Sequence, residues 1–221
     1  MTERKTDQRQ EGYEGKTFPV PFALKKSQEN ITITTEASTK PSKDQIINQA
    51  FKLHSQGNTS EAAKYYQYFI NQGFEDYRVF SNFGGILINI GKLKEAELFT
   101  RKAIELNPNY ANAHLNLGTI LITGGNLKEA EIYIRKAIEV NPNFADAHFH
   151  LGNLMRRLGK LKEAELSYLD AIKINPDLAS VYFSLSVMNH SDRNQVWKKK
   201  LFSKSFINPS SSCCNILFKT K

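Results

Sequence analysis

The sequence predicts an all-α fold, an α-solenoid of stacked helix–turn–helix units, and three observations carry that prediction. First, KAIELNPNYANAHLNLG at residues 102–118 returns as KAIEVNPNFADAHFHLG at residues 136–152, with 12 of 17 positions identical and the starts 34 residues apart. A fixed period of this kind is the mark of a repeat architecture. Second, apolar residues recur within each period at helical spacing, in two separate bursts. Third, glycine divides the bursts and Asn-Pro closes the period, which are the places where a helix stops.

Taken in order, residues 1–42 are rich in Thr, Ser, Lys and Pro without a sustained period, and are expected to form a disordered leader. FPVPF at 18–22 is its one distinctive stretch, suited to lie extended in a groove. Aligning on the Asn-Pro pairs gives units at 43–76, 77–110, 111–144 and 145–178. In the third unit the first burst is His114, Leu117, Ile120 and Leu121, and the second is Leu127, Ala130, Ile134, Ala137 and Ile138. Gly125 stands between them, where a left-handed residue ends the first helix. Small residues share offsets: Gly84, Gly118 and Gly152; Ala96, Ala130 and Ala164; Ala103, Ala137 and Ala171. A glycine inside a helix costs about 1 kcal/mol relative to alanine, so its recurrence predicts close helix packing.

A partial fifth unit begins at Ala179 with Tyr182 and Leu185, then loses the pattern at Asn189 and Arg193. NQVWKKKLFSKSF predicts a short basic capping helix, with Trp197 and Leu201 on one face and Lys198, Lys199 and Lys200 outward; repeat arrays need such a terminal cover. The expected bounds are 179–206 for this piece and 207–221 for a disordered tail.

Composition narrows the function classes. The formal net charge is +8, but residues 179–221 hold 7 basic against 1 acidic residue, while residues 77–178 hold 13 against 11. The basic character belongs to the far end rather than to the repeats, so nucleic acid is not an expected partner. No run of 18 or more apolar residues exists, so no membrane span is expected. The polar start lacks the apolar stretch of a secretory signal, which makes the cytoplasm the default compartment. Cys213 and Cys214 are adjacent and show no metal-binding spacing.

The unit pattern resembles tetratricopeptide repeats, whose signature is an aromatic, Leu-Gly, a further apolar residue, Ala, an aromatic and Pro. The second unit supplies Phe80, Phe83-Gly84, Leu87, Ala96 and Pro108. The fourth supplies His148, Leu151-Gly152, Met155, Ala164, Tyr168 and Pro176. The first departs from the pattern, with Phe69 in place of alanine and Phe74 in place of proline, though Gly57, Ala62 and Tyr66 keep the frame. The NLG and KAIExNP wording is most similar to repeats of O-linked N-acetylglucosamine transferases and their bacterial relatives.

This resemblance implies a right-handed solenoid whose first helices line a concave groove for an extended peptide. The groove-facing offsets give Arg78, Ser81, Asn82 and Asn89, then Asn112, Leu115, Asn116 and Thr123, then Asp146, Phe149, His150, Asn153, Arg156 and Arg157. The peptide-binding candidates among them are Asn82, Asn89, Asn112, Asn116, His150, Asn153, Arg156 and Arg157. In transferase-type arrays an asparagine ladder at the sixth offset holds a peptide backbone, and here that ladder reads Asn82, Asn116, His150 and Ser184. An amide suits the task because it donates and accepts, as the peptide group does. Arg156 and Arg157 would add a preference for acidic ligands. Chaperone-tail binding needs a lysine, asparagine and arginine clamp for a terminal carboxylate. Ser81, Gly85, Asn116, Asp146 and His150 stand at those offsets, and Asp146 would repel the carboxylate, which argues against chaperone C-terminal tails.

No catalytic, cofactor or metal site is expected. Gly85 to Gly91-Lys92 imitates a phosphate loop, but five residues separate the glycines and Leu93 stands where Ser or Thr is needed. His148 and His150 project about 200° apart on a helix and cannot share a metal, while His114 and His148 fall at the aromatic packing offset. Asn30-Ile31-Thr32 and Asn58-Thr59-Ser60 are glycosylation sequons only in a secreted chain. The expected function is a non-catalytic scaffold for a protein or peptide partner. The alternative is the targeting region of a repeat-linked glycosyl- or sulfotransferase whose catalytic domain is absent.

Overall fold

The computed structural model describes residues 40–189, and FPVPF, the basic segment at 194–206 and Cys213-Cys214 lie outside the described residues. Among the described residues there are nine helices and no strand, an all-α array. They come in pairs: α1 (Lys43–Ser55) with α2 (Thr59–Asn71), α3 (Tyr77–Asn89) with α4 (Leu93–Leu106), α5 (Ala111–Thr123) with α6 (Leu127–Val140), and α7 (Ala145–Arg157) with α8 (Leu161–Ile174). The last, α9 (Ala179–Asn189), packs on α8, with Tyr182 and Leu185 buried.

Local chemistry explains the boundaries. Gly125 adopts φ 84° directly after α5, a left-handed conformation that a side chain disfavours, and the same turn recurs at Gly57, Gly91 and Gly159. The Asn-Pro pairs end the second helices for a reason the motif alone does not state. The side-chain oxygen of Asn107 accepts from the Asn109 amide at 3.0 Å, and Asn141 and Asn175 repeat this with Asn143 and Asp177. Each is an Asx turn, closed by the residue before the proline. The free proline carbonyl then meets the next unit: His114 Nε2 donates to Pro108 O at 2.7 Å, His148 Nε2 to Pro142 O at 3.0 Å, and Tyr182 Oη to Pro176 O at 2.8 Å. Phe80, which cannot donate, follows the one unit that ends in Phe74 instead. The histidines at the aromatic offset are thus structural pins.

Packing follows the small residues. A Cβ placed on Gly118 would lie 2.5 Å from Ile134 Cγ1, and one on Gly152 would lie 2.5 Å from Tyr168 Cε1, so α5 meets α6, and α7 meets α8, at glycine. Ala96, Ala130 and Ala164 are fully buried, as are Ala103, Ala137 and Ala171. The core runs between the helix layers; in its larger part Leu117, Ile134, Leu154, Tyr168 and Leu185 all belong to one continuous cluster. In the first unit Phe69, the departure from alanine, is itself fully buried and packs on Phe74 with ring centroids 5.4 Å apart. Two bulky rings there replace the Ala and Pro of the later units.

The first helices also touch one another, α3 on α5 and α5 on α7, and so form the inner, tighter row. The outward face of α1 differs from every later first helix. Gln45 and Lys52, both exposed, stand at the offsets that Val79, Ala113 and Ala147, and Ile86, Ile120 and Leu154, fill with buried apolar side chains. Ser42 caps this helix by accepting from Gln45 N while the Gln45 side chain accepts from Ser42 N, a reciprocal capping box.

Candidate functional site

The inner row of helices builds a cleft of about 320 Å³ that draws on α1, α3, α5 and α7. It brings together Asn82, Asn89, Asn112, Asn116 and His150 from three successive units. Asn153, Arg156 and Arg157 do not line it. Arg157 instead reaches back one unit and donates to Ile122 O at 3.1 Å, and Asn153 accepts from Tyr168 Oη at 2.7 Å, inside its own unit.

The amides of the cleft are partly committed to the fold. Asn116 Nδ2 donates to Ser81 O at 3.0 Å and to Ser81 Oγ at 3.3 Å. Ser81, at a groove-facing offset, is fully buried beneath this contact and does not present its hydroxyl to solvent. Asn82 Nδ2 donates to the hydroxyl of buried Tyr66 at 3.3 Å, and that hydroxyl lies 2.9 Å from His54 Nδ1. Burial pushes the Tyr66 phenol up to about 12. Asn112 makes only a long bond, 3.4 Å, to Tyr110 Oη, and Asn89 is exposed. His150 lies with Nδ1 3.5 Å from Thr119 Oγ1. Burial holds its imidazole below the ordinary histidine range, against a smaller upward pull from Asp146, so it is neutral at pH 7.

Next to this cleft is a second, of about 440 Å³, lined by Phe51, His54, Ser55, Arg78, Asn82 and Tyr110. Arg78 lies with its guanidinium 5.1 Å from the Phe51 ring centre and gives two bonds to Asp76, at 3.0 and 2.7 Å. Burial pushes the Asp76 carboxyl up, but the hydrogen bonds and charge of Arg78 outweigh it and hold the group below the usual carboxylate range. Asp76 also caps α3 by accepting from Arg78 N at 2.8 Å. The arginine is therefore neutralised, and the cleft is an aromatic one.

Sequence reasoning passed over Asn48, which occupies the ladder's sixth offset in the first unit and is exposed. Counting that offset from Lys43 would have found it. Phe51, at the ninth offset of the same helix, was missed for the same reason. Among the described residues no cluster of His, Cys, Asp and Glu could hold a metal, and no helix is long and apolar enough to cross a membrane.

A family model described as the middle TPR-like domain of cilia and flagella-associated protein 70 matches residues 48–188, most of the described array. The chain belongs to this TPR-like family. The match begins at Asn48 and takes in all of the groove residues above. No curated protein matches the chain. Among solved structures, the array is similar to a thermophilic TPR protein of Thermus thermophilus, at 17% identity and a TM-score of 0.60, covering 68% of this chain and 82% of that one. It is similar to MamA of Desulfovibrio magneticus at 20% identity and a TM-score of 0.58, covering 76% and 94%. It is also similar to YrrB, described as a TPR protein with an unusual peptide-binding site, at 23% identity and a TM-score of 0.52, covering 70% and 79%. At these identities the likeness is one of fold, a TPR solenoid.

Proposed function

We propose that this TPR-like array is a protein-interaction scaffold that holds an extended peptide segment along the inner helix row. One observation carries the reading: amide side chains and a neutral histidine from three successive units line a single cleft. Groups that both donate and accept suit a peptide backbone, and a cleft of this size suits a few residues of it. The description of YrrB as peptide-binding supports the same use of the fold. Asn89 and Asn112 are the proposed contacts with the fewest structural duties, while Asn82 and Asn116 divide their amides between fold and ligand. Arg156 and Arg157 stand apart from the cleft and are proposed only as an outlying preference for acidic residues. The site is non-catalytic in this reading, and the setting is the cytoplasm.

The KAIExNP wording favours a second reading for the same groove, as a substrate selector for a linked transferase.

A peptide array of random extended segments, probed with the full chain, tests the scaffold reading. Asn89→Ala combined with Asn112→Ala should weaken the captured peptides by about tenfold, the loss of two hydrogen bonds, without lowering the melting temperature. Unchanged capture by a folded double variant would sink it.

A further inference from the structure

Superposing the units in register exposes one place where the fourth breaks a rule the others keep. The second helices carry an aromatic ring at one offset, Tyr65, Phe99 and Tyr133, and then Ser167. In the second unit Phe99 stacks on Phe80, with centroids 6.0 Å apart and planes 14° apart. In the third Tyr133 stacks on His114 at 6.1 Å and 21°, and His114 is buried beneath it. In the fourth, Ser167 places no ring above His148. Its hydroxyl turns back to donate to Glu163 O at 2.9 Å.

The missing ring leaves a cleft of about 450 Å³ on the second-helix side, opposite His150 and its groove. His148 and Leu151 belong to its first helix, and Ile138 and Leu166 supply apolar wall; Leu166 is 62% exposed. A second departure borders it. Lys102 and Lys136 share an offset at which the fourth unit has Asp170. Of the three acids around the cleft, Glu139 is held by Lys136 at 2.8 Å and Glu163 lies 3.6 Å from Arg135, whereas the exposed Asp170 makes no ion pair among the described residues. One unit has thus lost both the ring that fills this space and the cation that borders it.

We propose that the cleft above His148 docks an aromatic side chain of a partner polypeptide that carries a lysine or arginine beside it. The ring takes the place of the absent Tyr133 counterpart, stacked on the His148 imidazole, whose Nε2 proton is already given to Pro142 O. The neighbouring cation lies along Leu166 with its stem and meets Asp170 with its charge. The surface is separate from the peptide cleft, so the array engages partners on both sides.

The test is a titration of isotope-labelled full chain with N-acetyl-Trp-Lys-amide, followed by backbone amide shifts. Weak binding should move resonances in 138–151 and 166–170, and N-acetyl-Ala-Lys-amide and N-acetyl-Trp-Glu-amide should move them far less. Ser167→Tyr restores the sibling ring and should weaken the dipeptide by about tenfold or more. Asp170→Lys, an exposed change that leaves the packing alone, should weaken it by about fivefold. Binding unaltered in both variants would overturn the proposal. So would shifts centred on Asn112 and Asn116. If the dipeptide binds only after Trp197→Ala, the chain's own tail fills the cleft, and the partner form of the proposal is wrong.

Discussion

Asn116 reaches back one whole unit to donate its side-chain amide to the backbone carbonyl of Ser81, 3.0 Å away, across the joint between α5 and α3. A ladder residue expected to serve a ligand therefore also serves as a rivet between repeats. Asn116→Ala should cost about 1 kcal/mol of stability in addition to weakening any peptide. Denaturant unfolding checks this: an unshifted midpoint would mean the bond does not contribute.

Gly118 faces Ile134 so closely that an added methyl would lie 2.5 Å from its Cγ1. Gly118→Ala is expected to destabilise by roughly 1–3 kcal/mol despite the better helix propensity of alanine. Ile134→Ala removes the opposing Cγ1, so the two changes together should cost less than the sum of each alone, and strict additivity in thermal unfolding would place the strain elsewhere.

His150 is neutral because burial lowers its proton affinity. Below its unfolded value of 6.5 the unfolded chain binds more protons than the folded one. Its contribution to stability is thus fully present above that pH and is lost as pH falls toward the depressed folded value. The melting temperature should decline across this window, and His150→Asn should shallow the decline. An equal slope in the variant would remove His150 from the account.

Asp76 caps α3 and pairs with Arg78 at once. Asp76→Asn should keep the cap but lose the pair, at about 1 kcal/mol, whereas Asp76→Ala loses both, at roughly 2 kcal/mol. The pair's contribution is present above the unfolded carboxylate value of 3.8 and fades as pH drops through the lower folded one. Unfolding at neutral and acid pH separates the two variants; identical losses at neutral pH would argue that the charge is idle.

Much of this molecule is legible in its sequence. The period, Gly125 as the turn and Gly118 as the point of contact are written residue by residue, because a repeat states each physical constraint several times. What escaped notice arises between units. Ser81 sits at a ligand-facing offset yet is buried, because Asn116 of the following unit lies over it. Arg157 shares the groove-facing assignment yet spends its guanidinium on Ile122 O. Offsets within one helix cannot report such contacts, which depend on how far each unit rotates against the last. Asn48 and Ser167 are a different matter. Both are single letters visible in register, one continuing a pattern and one breaking it.

The polar outer face of α1, where Gln45 and Lys52 replace buried aliphatics, gives the array a direction of growth. A duplicated module spliced ahead of Lys43 would have to bury both of those side chains, whereas one inserted between the third and fourth units meets complementary apolar faces on either side. Lengthening this protein, by gene duplication or by design, therefore proceeds inside the array and away from its sealed front end.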